Sequence, residues 1–437
     1  MICKPVIKDI DALEVLDSRG NPTVMAKVTV EKGTDIYTGT AIVPSGASTG
    51  KYEAWELRDT DSDRYGGKGT LIAVKHVKEE IRGKLTGLNA FDQRNIDNHM
   101  LALDGTDNKS NLGANAILSV SLACARAAAN AASLPLYRYL GGAQVSTLPV
   151  PMMNILNGGA HASNNIDLQE FMIMPIGAHS FAVALKQCSE VYKTLGKILK
   201  SRNLATGVGD EGGYAPNLRT ADEAIKLIME AVEESGYTLG YDGDFMIALD
   251  AASSEWYTPE GGYLQPKSQK AMTPKNLITY WKGLITKYPI ISIEDGLGED
   301  DWDSWTDMTA AIGHRVQLVG DDLFVTNREK IERGIRSKAG NSVLIKLNQI
   351  GTLSETMDAV TAAQKHGYTA IISHRSGDSE DSFIADLAVA LGAGQIKSGA
   401  PARSERVAKY NRLLEIEAEN EGNMLYAGRN AFHNLDM

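Results

Sequence analysis

A lysine stands inside a short run of branched apolar residues, Val343-Leu344-Ile345-Lys346-Leu347. The run reads as a strand, and lysine is almost never fully buried without a partner. Asn348, Gly351 and a helix start at Thr352 follow it, with Glu355 three residues on in a capping-box pattern. Lys346 therefore sits near the C-terminal end of a strand that feeds a helix. In a barrel of strands and helices, chemistry is done at that end. Alone, such a lysine reads as an edge-strand residue that snorkels its ammonium to solvent. Three carboxylates change the balance. They come at the ends of the segments FMIALD (Asp250), ISIED (Glu294) and VQLVGDD (Asp321). Strand side chains alternate, so Asp250 shares a face with Met246 and Ala248, Glu294 with Ser292, and Asp321 with Val319. Each can point into one barrel mouth. Three converging carboxylates repel strongly at low dielectric, and a divalent cation removes that cost. All-oxygen ligation suits a hard ion, and Mg²⁺ is the usual one where a phosphate also binds. Taken singly, each carboxylate is better explained as the cap of a following helix. Three in consecutive strand–helix units are not.

The next units supply positive charge: Lys346, then His374 and Arg375, then Lys397. Arg375 lies in SHRSG, followed by Ser376 and Gly377, a loop suited to gripping a phosphate or carboxylate. The opposite wall offers His161 in NGGAHA, Glu170 in LQEFM and Glu211 in GDEGG. A metal, a buried lysine and a spare carboxylic acid are the parts for removing a proton next to a carboxylate. The metal stabilises the enediolate, the lysine takes the proton, and the acid protonates what leaves.

Two blocks of chain must position these groups. Residues 1–140 read as an α+β domain. Its strand-like segments 24–30 and 37–43 are joined by the hairpin signal Glu31-Lys32-Gly33, and helical patterns follow at 71–85 and 111–132. Between them PSGASTG, 44–50, has nothing that can pack and reads as a mobile surface loop. Residues 141–437 change rhythm. Short apolar segments ending in polar or charged residues alternate with helical stretches at 178–201, 220–234, 274–286, 301–312, 327–336, 352–366 and 381–391. That alternation predicts one closed α/β barrel. An open doubly wound sheet is the competitor, but no glycine-rich nucleotide fingerprint follows a strand.

The chain has 437 residues, 43% apolar and 23% charged, an ordinary globular composition. Its net charge of −11 argues against nucleic acid or an anionic membrane as its main partner. A site for an anionic substrate must then be made locally positive. Cys3, Cys124 and Cys188 are widely spaced and odd in number, which fits a reducing compartment. The first residues carry no signal-like apolar run, and 114–132, the most lipid-like stretch, is interrupted by Asn115, Arg126 and Asn130. A cytoplasmic protein is expected.

The same residues resemble the enolase family. VLIKLNQIGTLSE, SHRSGDSEDSFIADLAV and GQIKSGAPARSERVAKYN look like its signatures, as do LDSRGNPT, VPSGASTG, LDGTDNKSNLGANAILSVSLA, NGGAHA, LQEFMI, GDEGGYAP and ALDAASSE. The likeness runs in order from about Leu13 to Leu414 and is to enolase itself rather than only to its wider superfamily. Gly296 and Ala160 suit the bacterial type. The resemblance implies a small N-terminal α+β domain and a barrel that opens with two strands and two helices before regular units. It implies one Mg²⁺ on Asp250, Glu294 and Asp321, and a second that binds with substrate, with Ser45 closing over it. It gives Lys346 the C2 proton of 2-phosphoglycerate, and gives Glu211, helped by Glu170, the departing 3-hydroxyl. Lys397 and the metals take the carboxylate, Arg375 and Ser376 take the phosphate, and His161 and His374 line the pocket. The product is phosphoenolpyruvate, in glycolysis and gluconeogenesis. A homodimer or octamer is implied as well. Two metals and Lys397 are expected to lower the pKa of Lys346 so that a neutral amine exists near neutral pH.

Two other readings compete. One is a related sugar-acid dehydratase or racemase, whose lysine pair or histidine base does not replace Lys346 here. The other is an enolase with an added binding role, which fold alone does not address.

Overall fold

The structure, a computed structural model, describes residues 4–46, 50–60 and 63–436. Ala47, Ser48 and Thr49, the centre of the expected mobile loop, lie outside the described residues, as does Cys3. Cys124 and Cys188 are buried and free.

Eight strands close into a barrel in the order Ile290–Glu294, Gln317–Gly320, Ser342–Ile345, Thr369–Ser373, Gly394–Lys397, Val150–Asn157, Glu170–Met174, Met246–Asp250. Every neighbouring pair is parallel except the two pairs made by Glu170–Met174, which runs antiparallel to both neighbours. Two helices, Phe181–Ser201 and Ala221–Glu234, follow that reversed strand before the regular alternation begins. The chain thus opens its barrel with two strands and then two helices, as expected.

The reversal has a chemical consequence. Glu170 is the first residue of its strand, yet it lies level with the last residues of the others. It pairs with Asn157 on one side and Asp250 on the other. Asp250 in turn pairs with Glu294, and Lys397 pairs with Ser373. Register alone therefore sets most of the charged groups on one rim. The alternation argument also holds on the inner face. Met246, Ala248 and Val319 belong to the apolar plug inside the barrel, with Met152, Leu344, Ile371 and Phe432. Ser292 also points inward, accepting a hydrogen bond from Gln317 at 3.0 Å.

The N-terminal region carries a three-stranded antiparallel sheet, Val6–Leu16, Pro22–Lys32 and Asp35–Ile42. Val6–Leu16 was not legible as a strand, because Lys8, Asp9, Asp11 and Glu14 mask its apolar alternation. The helix Ala114–Ala131 lies against this sheet, buried along nearly its whole length. Gly39 makes that approach feasible: a Cβ there would lie 2.2 Å from the carbonyl oxygen of Ala123. Among the described residues, no helix is long and apolar enough to cross a membrane.

The sheet region is fastened to the barrel by polar contacts close to the rim. Ser45 and Gly377 exchange backbone hydrogen bonds of 2.7 and 2.9 Å, and Ala54 N–H donates to the Gln349 carbonyl at 2.8 Å. Arg126 forks onto both carboxylate oxygens of Asp381 at 2.6 and 2.7 Å, the strong bidentate geometry.

Candidate active site

At the rim of the barrel a tight cavity of about 40 Å³ has room for roughly three waters. Glu170, Glu211, His161, Asp250, Asp321, Lys346, His374, Arg375, Ser376 and Lys397 all line it. Two expected site residues do not. Glu294 sits behind the wall, with both carboxylate oxygens covered by the Lys397 ammonium at 2.9 and 2.8 Å. Ser45 is buried at the sheet–barrel seam. Its hydroxyl donates to Asp17 at 2.7 Å and accepts from Arg19 at 3.1 Å.

Lys346 comes directly after its strand, as the residue before the one-turn helix Leu347–Ile350. Its ammonium is paired with an oxygen of Asp321 and keeps 15% of its side-chain surface exposed, towards the cavity. Burial works to lower its pKa, but the surrounding carboxylates, Asp321 first and Glu294 with it, hold it above the ordinary lysine value. Asp321 itself is held below the usual range, since Lys346 and a hydrogen bond from Gln349 more than offset its burial.

Lys397 is the hub of the acidic wall. Besides Glu294 it reaches Glu170 at 3.1 Å and Asp250 at 3.6 Å. Asp250 is also fixed by Gln169 at 3.0 Å and by the Ala252 N–H at 2.9 Å. Burial pushes Glu294 up to about 8, against the pull of Lys397 and with help from the charges of Asp250 and Asp321. Buried all-oxygen donors fit a hard ion such as Mg²⁺. The ligands expected from the sequence, Asp250, Glu294 and Asp321, do not themselves form a group with donor atoms within 4.8 Å of one another among the described residues. Asp321 instead joins Asp295 and Asp322 in a group whose donor atoms all lie within 4.8 Å of one another. Asp295 has a structural task there. Its two oxygens accept the N–H groups of Asp321 and Asp322 at 2.9 and 3.0 Å.

The raised Glu294 carboxyl gives a signed expectation. Below pH 8 that group holds a proton which ion binding must expel, so Mg²⁺ affinity should climb as pH rises to about 8 and then level off. Calorimetry in two buffers of different ionisation enthalpy counts the expelled proton. Affinity that stays flat from about pH 6 to 8 would contradict the assignment.

Opposite Lys346 lies a carboxyl pair. His161 Nδ1 is 3.5 Å from Glu170 and 3.9 Å from Glu211. Ser376 donates to Glu211 at 3.2 Å, and Asn154 does so at 3.1 Å. His374 fixes its own tautomer. Arg406, which can only donate, gives Nδ1 a hydrogen bond at 2.6 Å, so the ring proton sits on Nε2, 3.5 Å from Glu211. Burial holds the pKa of His374 down at about 4, so it is neutral at pH 7. Burial and then the charge of Glu211 push Glu170 well up. Burial opposes ionisation of Glu211 too, but the surrounding imidazoles and Arg406 outweigh it. The opposite directions make Glu170 the member of this neighbouring pair that holds a proton more readily.

Arg375 is engaged by a group that sequence reasoning did not single out. Glu53, from the N-terminal region, meets its two terminal nitrogens at 2.9 and 3.1 Å. Nothing in the sequence links two residues so far apart in the chain. Asp295 and Asp322 were visible as the second members of acidic doublets, and strand parity alone turned attention to their neighbours. Thr326 and Gln349 were also missed. Val325 and Thr326 take left-handed backbone at φ 42° and 55°. Branched side chains are genuine outliers there, at a cost of about 1–3 kcal/mol each.

Two family models match the chain. That described as "Enolase, N-terminal domain" covers residues 7–140, and that described as "Enolase, C-terminal TIM barrel domain" covers residues 145–435.

Proposed function

The chain belongs to the enolase family, and from that premise we propose that it is a phosphopyruvate hydratase of bacterial type, interconverting 2-phosphoglycerate and phosphoenolpyruvate. Family membership supports a dehydratase, a lyase that eliminates water, and the substrate is the finer reading. One observation carries it: a lysine, Lys346, and two neighbouring carboxyls, Glu170 and Glu211, line a single small cavity. Lys346 follows the third strand of the barrel order and Glu170 opens the seventh, so three strands separate them whichever way round the barrel is followed. A base and an acid on opposite walls suit a proton and a hydroxyl leaving from opposite faces of a small hydroxy acid.

In this reading the Lys346 amine takes the C2 proton. Bound Mg²⁺, two ions per site, supplies Lewis-acid stabilisation for the charge developing on the substrate carboxylate and offsets the negative charge that holds Lys346 protonated. Lys397 binds the carboxylate from the acidic wall. Glu211 receives the pair's proton from the side of Glu170 and hands it to the departing 3-hydroxyl. The neutral His374 keeps that side polar without competing for the proton, and His161 lines it. Arg375 and Ser376 grip the phosphate, which takes the place of the Glu53 carboxylate on the guanidinium. Dimer or octamer assembly belongs to the same proposal and is read by sedimentation.

The test is absorbance growth from phosphoenolpyruvate when 2-phosphoglycerate and Mg²⁺ are added. Sugar acids such as galactonate should give no product. Turnover of a sugar acid with none of 2-phosphoglycerate would favour the related dehydratase instead.

A further inference from the structure

Lys346 is held at both of its ends by one closed ring of hydrogen bonds. Its backbone N–H donates to the Thr326 hydroxyl at 2.8 Å. That hydroxyl donates to Gln349 Oε1, also at 2.8 Å. The amide nitrogen of Gln349 donates to Asp321 Oδ1 at 2.8 Å, and the other oxygen of Asp321 takes the Lys346 ammonium. Thr326, Gln349 and Val325 are buried at 0, 1 and 1% exposure, so water does not substitute for any missing partner.

From this ring we propose that Thr326, acting through Gln349, is the positioning residue for Lys346. It sets the backbone from which the lysine projects, and through the Gln349 amide it orients the carboxylate on which the ammonium rests. The hydroxyl is used twice, as acceptor and as donor, and a threonine offers both in one fixed rotamer range. The left-handed backbone at Val325 and Thr326 supports the assignment. Two consecutive branched residues held there require a compensating interaction. The structure shows one for Thr326: its hydroxyl aimed at the Lys346 N–H and at Gln349. Gln349 is in turn held from the N-terminal region by the Ala54 N–H on its carbonyl at 2.8 Å. The proposal rests on the reading of Lys346 as the base.

Thr326→Val keeps the shape and the branched backbone but removes both hydrogen bonds. It should lower kcat on the order of 100-fold, the size of a small misplacement of a reacting group, while KM for 2-phosphoglycerate stays close to wild type. Thr326→Ser, which restores the hydroxyl, should recover most of the loss. Gln349→Leu should reproduce the kcat loss. The double variant should be no slower than the slower single, because both break one ring. Without substrate or metal, hydrogen exchange should show the Lys346 amide protected in wild type and in Thr326→Ser, and unprotected in Thr326→Val. Unchanged kcat in Thr326→Val, equal losses in the Val and Ser variants, or multiplicative losses in the double variant would overturn the proposal. If Thr326→Val does not fold, Gln349→Leu decides alone: a kcat at the wild-type level overturns it. A wild-type protein inert towards 2-phosphoglycerate would instead sink the functional reading, and the exchange experiment would still read the ring.

Discussion

Replacing Lys346 with alanine should abolish both C2–H exchange and water elimination, a loss of at least about 10²–10⁴-fold, the usual weight of a positioned proton-transfer group. Among the described residues lining the cavity, the other lysine, Lys397, is already committed to Glu294, Glu170 and Asp250. Those contacts keep its ammonium on the acidic wall, beside Glu170 and Asp250. His374 and His161 stand on the far side with the carboxyl pair. So among the described residues lining the cavity no second amine or imidazole stands on the Lys346 side. The fold should survive, because Asp321 keeps its hydrogen bond from Gln349 and its carboxyl can take a proton once the ammonium is gone. Steady-state turnover beside a thermal melt checks this. A folded Lys346→Ala protein that keeps more than about a tenth of wild-type turnover would remove the lysine from the mechanism.

The second large effect concerns Asp321. Asp321→Asn keeps an oxygen for the Gln349 amide but removes the charge that pairs Lys346 and contributes to metal binding. Lewis-acid stabilisation is worth several kcal/mol, and each 1.36 kcal/mol is tenfold in rate, so turnover at limiting Mg²⁺ should drop by about 10²–10⁴-fold. The loss should shrink as Mg²⁺ is raised, since affinity is what has been weakened. In the same variant Lys346 loses the partner that holds its pKa up, and burial then pulls it down. Metal titration of activity and direct Mg²⁺ binding check both parts. Near-normal turnover at limiting Mg²⁺ would show that Asp321 is not a ligand.

The architecture was legible because its signal is periodic. Apolar segments ending in charge, alternating with amphipathic helices, leave few solutions other than a barrel. Parity placed Asp250, Glu294 and Asp321 on the inward face, and the apolar plug of Met246, Ala248 and Val319 agrees. What parity does not carry is depth. It gives Glu294 the same face as Asp250 but not the Lys397 ammonium that covers it. The ion pair of Glu53 with Arg375 joins the N-terminal region to the barrel, and no local pattern encodes such a contact. The strained pair Val325 and Thr326 was invisible for a related reason. A branched residue at positive φ runs against local propensity, so only the tertiary structure reveals it. Places where local rules fail tend to be functional sites, and here the failure lies one hydrogen bond from Lys346.

The central claim is that Lys346 removes the C2 proton and Glu211 completes the separate loss of the hydroxyl. NMR of 2-phosphoglycerate in D₂O with Mg²⁺ and Glu211→Gln tests it most directly. Lys346 is untouched in that variant and lies across the cavity from the substitution, so deuterium should appear at C2. The 3-hydroxyl should stay in place, because no acid protonates it. Deuterium uptake without phosphoenolpyruvate is the result this account predicts. No uptake by Glu211→Gln, with uptake retained by Lys346→Ala, would show that base and acid are assigned to the wrong residues.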